Sequence, residues 1–409
     1  MKHEKVILLF CGWIFLIFCF FPYVSIIGIN TTTQPNALIF SIFPIVFIKS
    51  NRLPKELFIF GVVFGFATLF LFISDLSFLS FRDWANYLSM FFVTFAAYNF
   101  LRYINGLPYK FFYSVVCIWL FVGLVQMFLY PSFLSFLLHG WRGGGLSNGR
   151  GVTGLSTEPT YYGLMLGLFF VIYLINNWYD RSKLLGFLIL FQVVFLSWSS
   201  TAIIFFLSAT GFFLIIMLVR LNVKLILSIT ALSIVVSVFL VSTIDLYKEL
   251  RIYKISRVVL DNPEIILATD FSVSERVNHI VFPVVGMVEN KFIPSGYGKF
   301  DEYLIAKKNS TTYEVFFRHK LFRPSNRILS GHGKVFFELG GIGLLISIGL
   351  FFAFKFGFSN PQILFGFILY YLLLFAALPF MTATVPFIVG NILYIRHEKN
   401  ENRISAAPY

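Results

Sequence analysis

Apolar residues run through this chain in long unbroken stretches. They follow neither the 3.6-residue stripe of a surface helix nor the alternation of a half-buried strand. Residues 6–28 (VILLFCGWIFLIFCFFPYVSIIG) carry no charge. A helix of that length crosses the roughly 30 Å hydrocarbon core of a bilayer and satisfies its own backbone there. The same reading along the chain predicts twelve spans, near 6–28, 36–48, 57–74, 84–101, 111–130, 159–176, 184–198, 200–219, 225–243, 334–356, 362–378 and 380–395. Two of them, 36–48 and 184–198, are short and read as tilted or re-entrant. The chain then divides into a bundle over 1–243 with about nine spans and a glycine-rich outer loop at 131–158, a large loop over 244–333, closing spans over 334–395, and a tail over 396–409. The expected fold is all-α, a polytopic transmembrane helical bundle.

Composition removes the soluble alternatives. Apolar residues make up 58% of the 409 and charged residues 12%, against about 25% charged in an ordinary soluble domain. Such a chain cannot cover its own surface with polar groups. Cys11, Cys19 and Cys117 all fall inside apolar runs, so they read as small packing residues rather than a disulfide framework or a zinc site. The first apolar run is too long for a signal-peptide core and no A-x-A site follows it, so it is expected to be a retained first span.

The charges give the orientation. With the N-terminus inside, the short cytoplasmic segments collect fifteen basic residues, among them Lys2, Lys49, Arg102, Arg181, Arg220, Lys355 and Arg396. The short loops opposite collect three: Arg82, Arg142 and Arg150. The positive-inside rule therefore predicts both termini in the cytoplasm and the loops at 131–158 and 244–333 facing outward. Fourteen further basic residues lie in 244–334, a segment too long for the rule. Much of the net charge of +13 is thereby spent on anchoring to anionic lipid, and no nucleic-acid partner is implied. The positive excess of the long outer loop suits an anionic partner on that side.

Two outward segments carry candidate chemistry. In HGWRGGGLSNGRGVTGLSTEPTYYG (139–163) the glycines permit tight turns. Gly149-x-Gly151-x-x-Gly154 matches a dinucleotide fingerprint by accident, because no strand precedes it. A helix is expected to begin near Thr157–Pro159, capped by Ser156 or Thr157. Free N–H groups there, with Arg150 beside them, would form an anion site, or else a plain helix entry with an arginine at the headgroups. Glu158 reads as a helix-terminal carboxylate that caps or orients a hydroxyl. The 244–333 loop is expected to have a small fold of its own, with Arg276 on a helix along the membrane or as a solvated arginine. It closes with RILSGHGKVFFELGGIGLLISIGLF (327–351), where His332 has the proton affinity for transfer near neutral pH. Glu338 lies within a span, a functional position by default, or pairs with an arginine. No HExxH, DxD or other metal pattern appears, so phosphate chemistry is expected to depend on arginines, with no metal and no cofactor.

Four stretches in order resemble the superfamily of O-antigen polymerases and O-antigen ligases: GRGVTGLSTEPTYYG (149–163), FLSWSSTAIIFFLSATGFF (195–213), the Arg276 segment followed by PSGYGKF (294–300), and SGHGKVFFELGGIGLLI (330–346). Trp198 and Ser199 stand where many relatives have a serine–arginine pair. The resemblance implies a GT-C-like glycosyltransferase architecture. It implies inverting, metal-independent transfer on the outer face of a bacterial inner membrane, from a glycan on undecaprenyl diphosphate lying among membrane lipids. It assigns Arg150 and Arg276 to the diphosphate, with Arg142 a further candidate for diphosphate or glycan. His332 is assigned to base or hydroxyl orientation, and Glu158 and Glu338 to supporting catalytic roles. A chain-length regulator is the protein partner it implies.

Polymerase and ligase differ in the acceptor, another lipid-linked repeat or the lipid A core. The diverse, phenylalanine-rich polymerases are the nearer likeness. A transporter or lipid flippase would show an internal repeat with broken spans in matching positions, and none is visible in the sequence. The orientation is directly testable. In intact cells, Ser310→Cys is expected to react with a membrane-impermeant maleimide and Ala407→Cys to react only after permeabilisation; the reverse pattern would invert the topology.

Overall fold

The computed structural model describes residues 2–26, 33–48, 53–74, 76–143, 151–219, 265–319 and 327–405, with the isolated positions 231 and 258. Arg150 and, apart from residue 231, the predicted span at 225–243 lie outside the described residues. The described structure is helical: α1 (Lys2–Phe20), α2 (Asn36–Phe47), α3 (Lys55–Ile73), α4 (Phe78–Tyr103), α5 (Tyr109–Phe128), α6 (Pro159–Ile175), α7 (Lys183–Phe191), α8 (Ser200–Val219), α9 (Phe271–Glu289), α10 (Phe300–Lys308), α11 (Gly331–Leu339), α12 (Leu344–Lys355), α13 (Pro361–Ala376) and α14 (Thr384–Ser405). Among the described residues there is no strand, only an isolated bridge between Val24 and Leu138.

Among the described residues, four helical segments are long and apolar enough to cross a membrane: α3, α5, α8 and the α11–α12 pair over Gly331–Lys355. Shorter apolar helices at Val6–Phe20, Asn36–Phe47, Pro159–Ile175, Lys183–Leu196 and Pro361–Phe375 accompany them. Phe58, Phe72, Ile73, Phe128 and Val219 are each at least 71% exposed. Outward apolar surface on this scale suits lipid rather than water. The chain is a membrane protein.

The centre of the bundle is the pairing of α4 with α14, which are buried throughout residues 96–101 and 384–394 respectively. Thr94 Oγ1 donates to the Pro386 carbonyl at 3.1 Å, and Gly390 presses its backbone against Thr94 and Ala97. Tyr394 in turn packs under Gly106. The contacts advance in the same direction along both helices, so the two run parallel. Thr384 bonds the Cys19 carbonyl, which fastens the start of α14 to the end of α1. α14 continues without a break from the stretch read as a span at 380–395 through Arg396 to Ser405. Arg396 keeps that extension on the bundle by pairing with Glu56 and donating to the Phe352 carbonyl.

Three predicted regular features are irregular, and each irregularity has its backbone partners. The span read at 184–198 is α7 followed by a π-helical turn at Gln192–Leu196. The chain then turns through Trp198, at φ +40°, into α8, where Ser199 Oγ accepts from the Ala202 N–H at 3.2 Å. The stretch 151–157, expected in an outward loop, is buried against that turn. Val152 N–H donates to the Leu196 carbonyl at 2.9 Å, and a Cβ on Gly151 would lie 2.1 Å from the Ser197 carbonyl oxygen. Gln126 secures the other side of the stretch: its Nε2 donates to the Gly154 carbonyl at 2.9 Å and its Oε1 accepts from the Gly154 N–H at 2.8 Å.

The third irregularity is the span read as continuous over 334–356. The helix starts at Gly331, with Ser330 Oγ accepting from the Gly333 N–H, and breaks into a 3₁₀ turn at Gly340–Gly343. Carbonyls freed by a break inside an apolar bundle need donors from elsewhere in the protein. The 292–296 segment supplies them, with Ser295 N–H donating to the Phe337 carbonyl at 3.1 Å and Gly296 N–H to the Glu338 carbonyl at 3.2 Å. Gly341 N–H in turn donates to the Phe292 carbonyl at 2.8 Å. The segment between α8 and α11 does form a small apolar cluster, Phe282, Phe300, Leu304 and Ile328, and that cluster is completed by Phe337 of α11. It is seated on the bundle rather than independent of it.

Gly340 has φ +57°, and a Cβ there would lie 2.3 Å from the Phe292 carbonyl oxygen. Gly340→Ala is therefore expected to cost about 1–3 kcal/mol, read as a lower melting temperature in detergent. Gly65→Ala is the control, since a Cβ at Gly65 meets nothing within 4 Å.

Candidate functional site

Where α4 and α11 begin, the bundle holds a cavity of about 270 Å³ lined by Thr33, Arg82, Asp83, Asn86, His139, Gly140, Arg142, Arg327, Ile328, Lys334, Pro379 and Met381. This is near the lower bound of ligand clefts, about 300–1,000 Å³. Among the described residues its wall carries four cationic side chains, Arg82, Arg142, Arg327 and Lys334, against one carboxylate, Asp83. The residues come from α4, from the segment before α6, from the strap preceding α11 and from the turn before α14. They converge only in the folded chain.

The floor is a buried charge network. Lys334, on the first turn of α11, places its Nζ 2.6 Å from Asp83 Oδ1 and 3.5 Å from Glu338 Oε1. Tyr87, one turn along α4 from Asp83, donates its hydroxyl to Glu338 Oε2 at 2.7 Å. Arg82 pairs with Asp83 Oδ1 at 3.2 Å from the more exposed side. Tyr297 packs on Tyr87 and donates to the Ala67 carbonyl at 2.7 Å, closing the network from α3. Asp83 Oδ2 is buried and takes no hydrogen bond.

The rim is built on the entry to α6. Glu158 occupies the N-cap position of α6 but makes no cap bond with its side chain. The expectation that Ser156 or Thr157 caps this helix fails as well. Ser156 Oγ donates to the Thr153 and Glu158 carbonyls instead of accepting from the helix, and Thr157 Oγ1 has no partner. Glu158 is thus left to pair with Arg142, Nη1 to Oε1 at 3.0 Å, and the Arg142 N–H donates to the Thr157 carbonyl at 3.0 Å.

Arg276 lies on α9, the helix expected for its segment, whose first turn is capped by Asp270 accepting from the Val273 N–H at 3.0 Å. Burial pushes the Glu275 carboxyl upward, while the charges of Arg276, Arg142 and Arg327 pull it back and Glu158 adds to the rise. Arg142 and Glu158 thus meet at one charged rim, and Arg276 acts with them on Glu275. Arg327 belongs with them although nothing in its own sequence context marks it.

His332 stands apart. It is fully buried, it does not line the cavity, and its ring lies 4.4 Å from that of Tyr371 and 5.8 Å from those of Phe336 and Phe380. Its Nδ1 is 3.2 Å from Ser347 Oγ, and its Nε2 has no partner. Glu338 does not line the cavity, but Lys334, which does, lies 3.5 Å from its Oε1. A second histidine, His279 on α9, accepts the Leu329 N–H at Nδ1 and positions the strap that carries Arg327. Burial, then the nearby Arg327, lowers it to about 3, so it stays neutral as an acceptor across the physiological range.

The residues that sequence reasoning missed are Asp83, Lys334, Arg82, Arg327 and His139. Lys334 and Glu338 did carry a signal, an i,i+4 pair of opposite charges inside an apolar run. Asp83 beside Arg82 at the start of a span is similar. Chemically, the cavity offers an anion fourfold cationic surroundings in a low-dielectric setting, with one carboxylate among them. No protein-family model matches this chain, and no curated protein matches it in sequence.

The two ion pairs differ in burial, and so in expected energetic weight. Lys334→Met leaves Asp83 and Glu338 buried without their cation and is expected to cost about 3–5 kcal/mol. Arg142→Gln, at a side chain 74% exposed, is expected to cost no more than about 1 kcal/mol. Thermal melting of the purified variants separates the two; equal losses would mean the network is not the buried anchor described.

Proposed function

We propose that this chain is a glycosyltransferase that polymerises oligosaccharide repeat units carried on undecaprenyl diphosphate. Its place is a bacterial inner membrane, with twelve spans, both termini cytoplasmic and the cavity on the outer face. The observation that carries this reading is the placement of Arg82, Arg142, Arg327 and Lys334 around one cavity at the ends of apolar helices. A lipid diphosphate brings an anionic headgroup to that depth while its tail stays among the helices. The sequence likeness of the 149–163 and 330–346 segments to O-antigen polymerases and ligases points to the same substrate class.

In this reading the acceptor hydroxyl attacks the anomeric carbon of the donor, the configuration inverts, and the diphosphate leaves. Negative charge grows on the leaving phosphate, so fixed cations beside it contribute most of the rate. Arg142 and Arg327 at the rim, with Arg276 behind them, supply those cations without a divalent ion. Arg150, between the glycines of the same segment, is assigned with them by sequence. The family arrangement this implies is GT-C-like, a membrane bundle with its site under an outer loop.

Deletion of the gene, followed by electrophoresis of the cell's lipopolysaccharide or capsule, tests the reading. Core carrying a single repeat unit is the expected result. Bare core with long polymer retained on the lipid carrier would make the chain a ligase. An unchanged ladder would remove it from polysaccharide assembly and favour transport.

A further inference from the structure

Glycosyl transfer onto a hydroxyl needs a group to receive the hydroxyl proton, and inverting chemistry conventionally places a carboxylate there, opposite the leaving group. His332, the base expected from sequence, lies outside the cavity lining in an aromatic cage. Glu158 is engaged by Arg142 at the rim. Glu338 has both oxygens engaged, one by Tyr87 and one by Lys334, and does not line the cavity. Asp83 is the one carboxylate among the described cavity-lining residues, and it combines two features that the others lack.

The first feature is fixation. Lys334 at 2.6 Å and Arg82 at 3.2 Å both engage Oδ1, so the carboxylate is held by one oxygen. The second is vacancy. Oδ2 is buried and has no hydrogen-bond partner, at a residue whose side chain is 1% exposed. A buried carboxylate oxygen without a donor is costly, and a substrate hydroxyl would supply the missing donor.

Resting on the glycosyl-transfer reading above, we propose that Asp83 is the general base of that reaction, its Oδ2 taking the proton of the acceptor sugar hydroxyl. The acceptor oxygen forms its bond to the anomeric carbon as its proton passes to Asp83 Oδ2. The bond from that carbon to the diphosphate oxygen breaks, and its electron pair leaves on the diphosphate. The proton is later returned to water, which restores the carboxylate. Lys334 and Arg82 are positioning residues for this step.

The test uses the full-length protein in detergent or nanodiscs, with a lipid-diphosphate-linked oligosaccharide as both donor and acceptor. Asp83→Asn keeps the shape of the side chain and the contact to Lys334, and Asp83→Ala opens the site. Both are expected to lower transfer by about 100- to 10,000-fold while donor binding stays within about threefold by the same principle that a base acts in the transition state. Sodium azide, a nucleophile with no proton to lose, is then expected to restore donor cleavage to Asp83→Ala and yield the inverted glycosyl azide.

Transfer retained within about threefold in both variants would overturn the assignment. So would a loss of transfer in a folded, donor-binding variant that azide does not restore, since that pattern belongs to charge placement alone. Should the wild type itself leave the donor intact, the glycosyl-transfer reading fails, and the base assignment fails with it.

Discussion

A lysine ammonium enclosed by apolar helices must be neutralised where it lies, and the geometry around Lys334 is organised by that requirement. Its two carboxylates come from different places, Glu338 from the next turn of the same helix and Asp83 from α4. Tyr87 then satisfies the Glu338 oxygen that the lysine does not face, and Arg82 shares Asp83 Oδ1 with the lysine. Removing water raises both the attraction within such a group and the cost of any member left alone. The result is a fixed relation between α4 and α11. The cavity opens directly above it, so the same group that locks two helices together also sets the charge pattern of the site.

A second constraint is the backbone. Helices satisfy their own amides inside a membrane, but a site needs interruptions, and each interruption must find donors and acceptors from the protein. At Gly340–Gly343 they come from the 292–296 segment; at 151–157 they come from Gln126 and from the carbonyls exposed by the π-helical turn at 192–196. Glycine appears where backbone meets backbone at these junctions. The 292–296 segment is accordingly part of the bundle's framework, because without its peptide groups the broken helix it packs on would lack partners.

What sequence could and could not supply follows from the range of the interactions. Apolar run length is a local property, and it located α3, α5 and α8 closely. Local charge and turn chemistry also placed α9 around Arg276 and the helix entry at Pro159. Capping at that entry was misread, because Ser156 can donate to nearby carbonyls as readily as it accepts from a helix, and only the folded loop decides between the two. The break at Gly340 was hidden because GGIG inside an apolar run reads as a tolerated small-residue stretch until a second segment is known to press on it. The site itself was half legible: Glu158, Arg142 and Arg276 carried motif or charge signals, whereas Asp83 gains its meaning only from Lys334. His332, assigned by resemblance to base or hydroxyl orientation, is set by the packing of α11 against α13 among aromatic rings rather than in the cavity lining.

Asp83 and Lys334 are separated by 251 residues, and that distance has a bearing on how the protein is made. A chain emerging into the membrane presents α4 long before α11 exists. During that interval the carboxylate on α4 has only Arg82 beside it, and the two sit together near the start of the helix, where headgroups and water remain within reach. The buried ion pair can therefore close only after the later part of the chain has arrived, so the floor of the cavity is among the last features of the bundle to be completed.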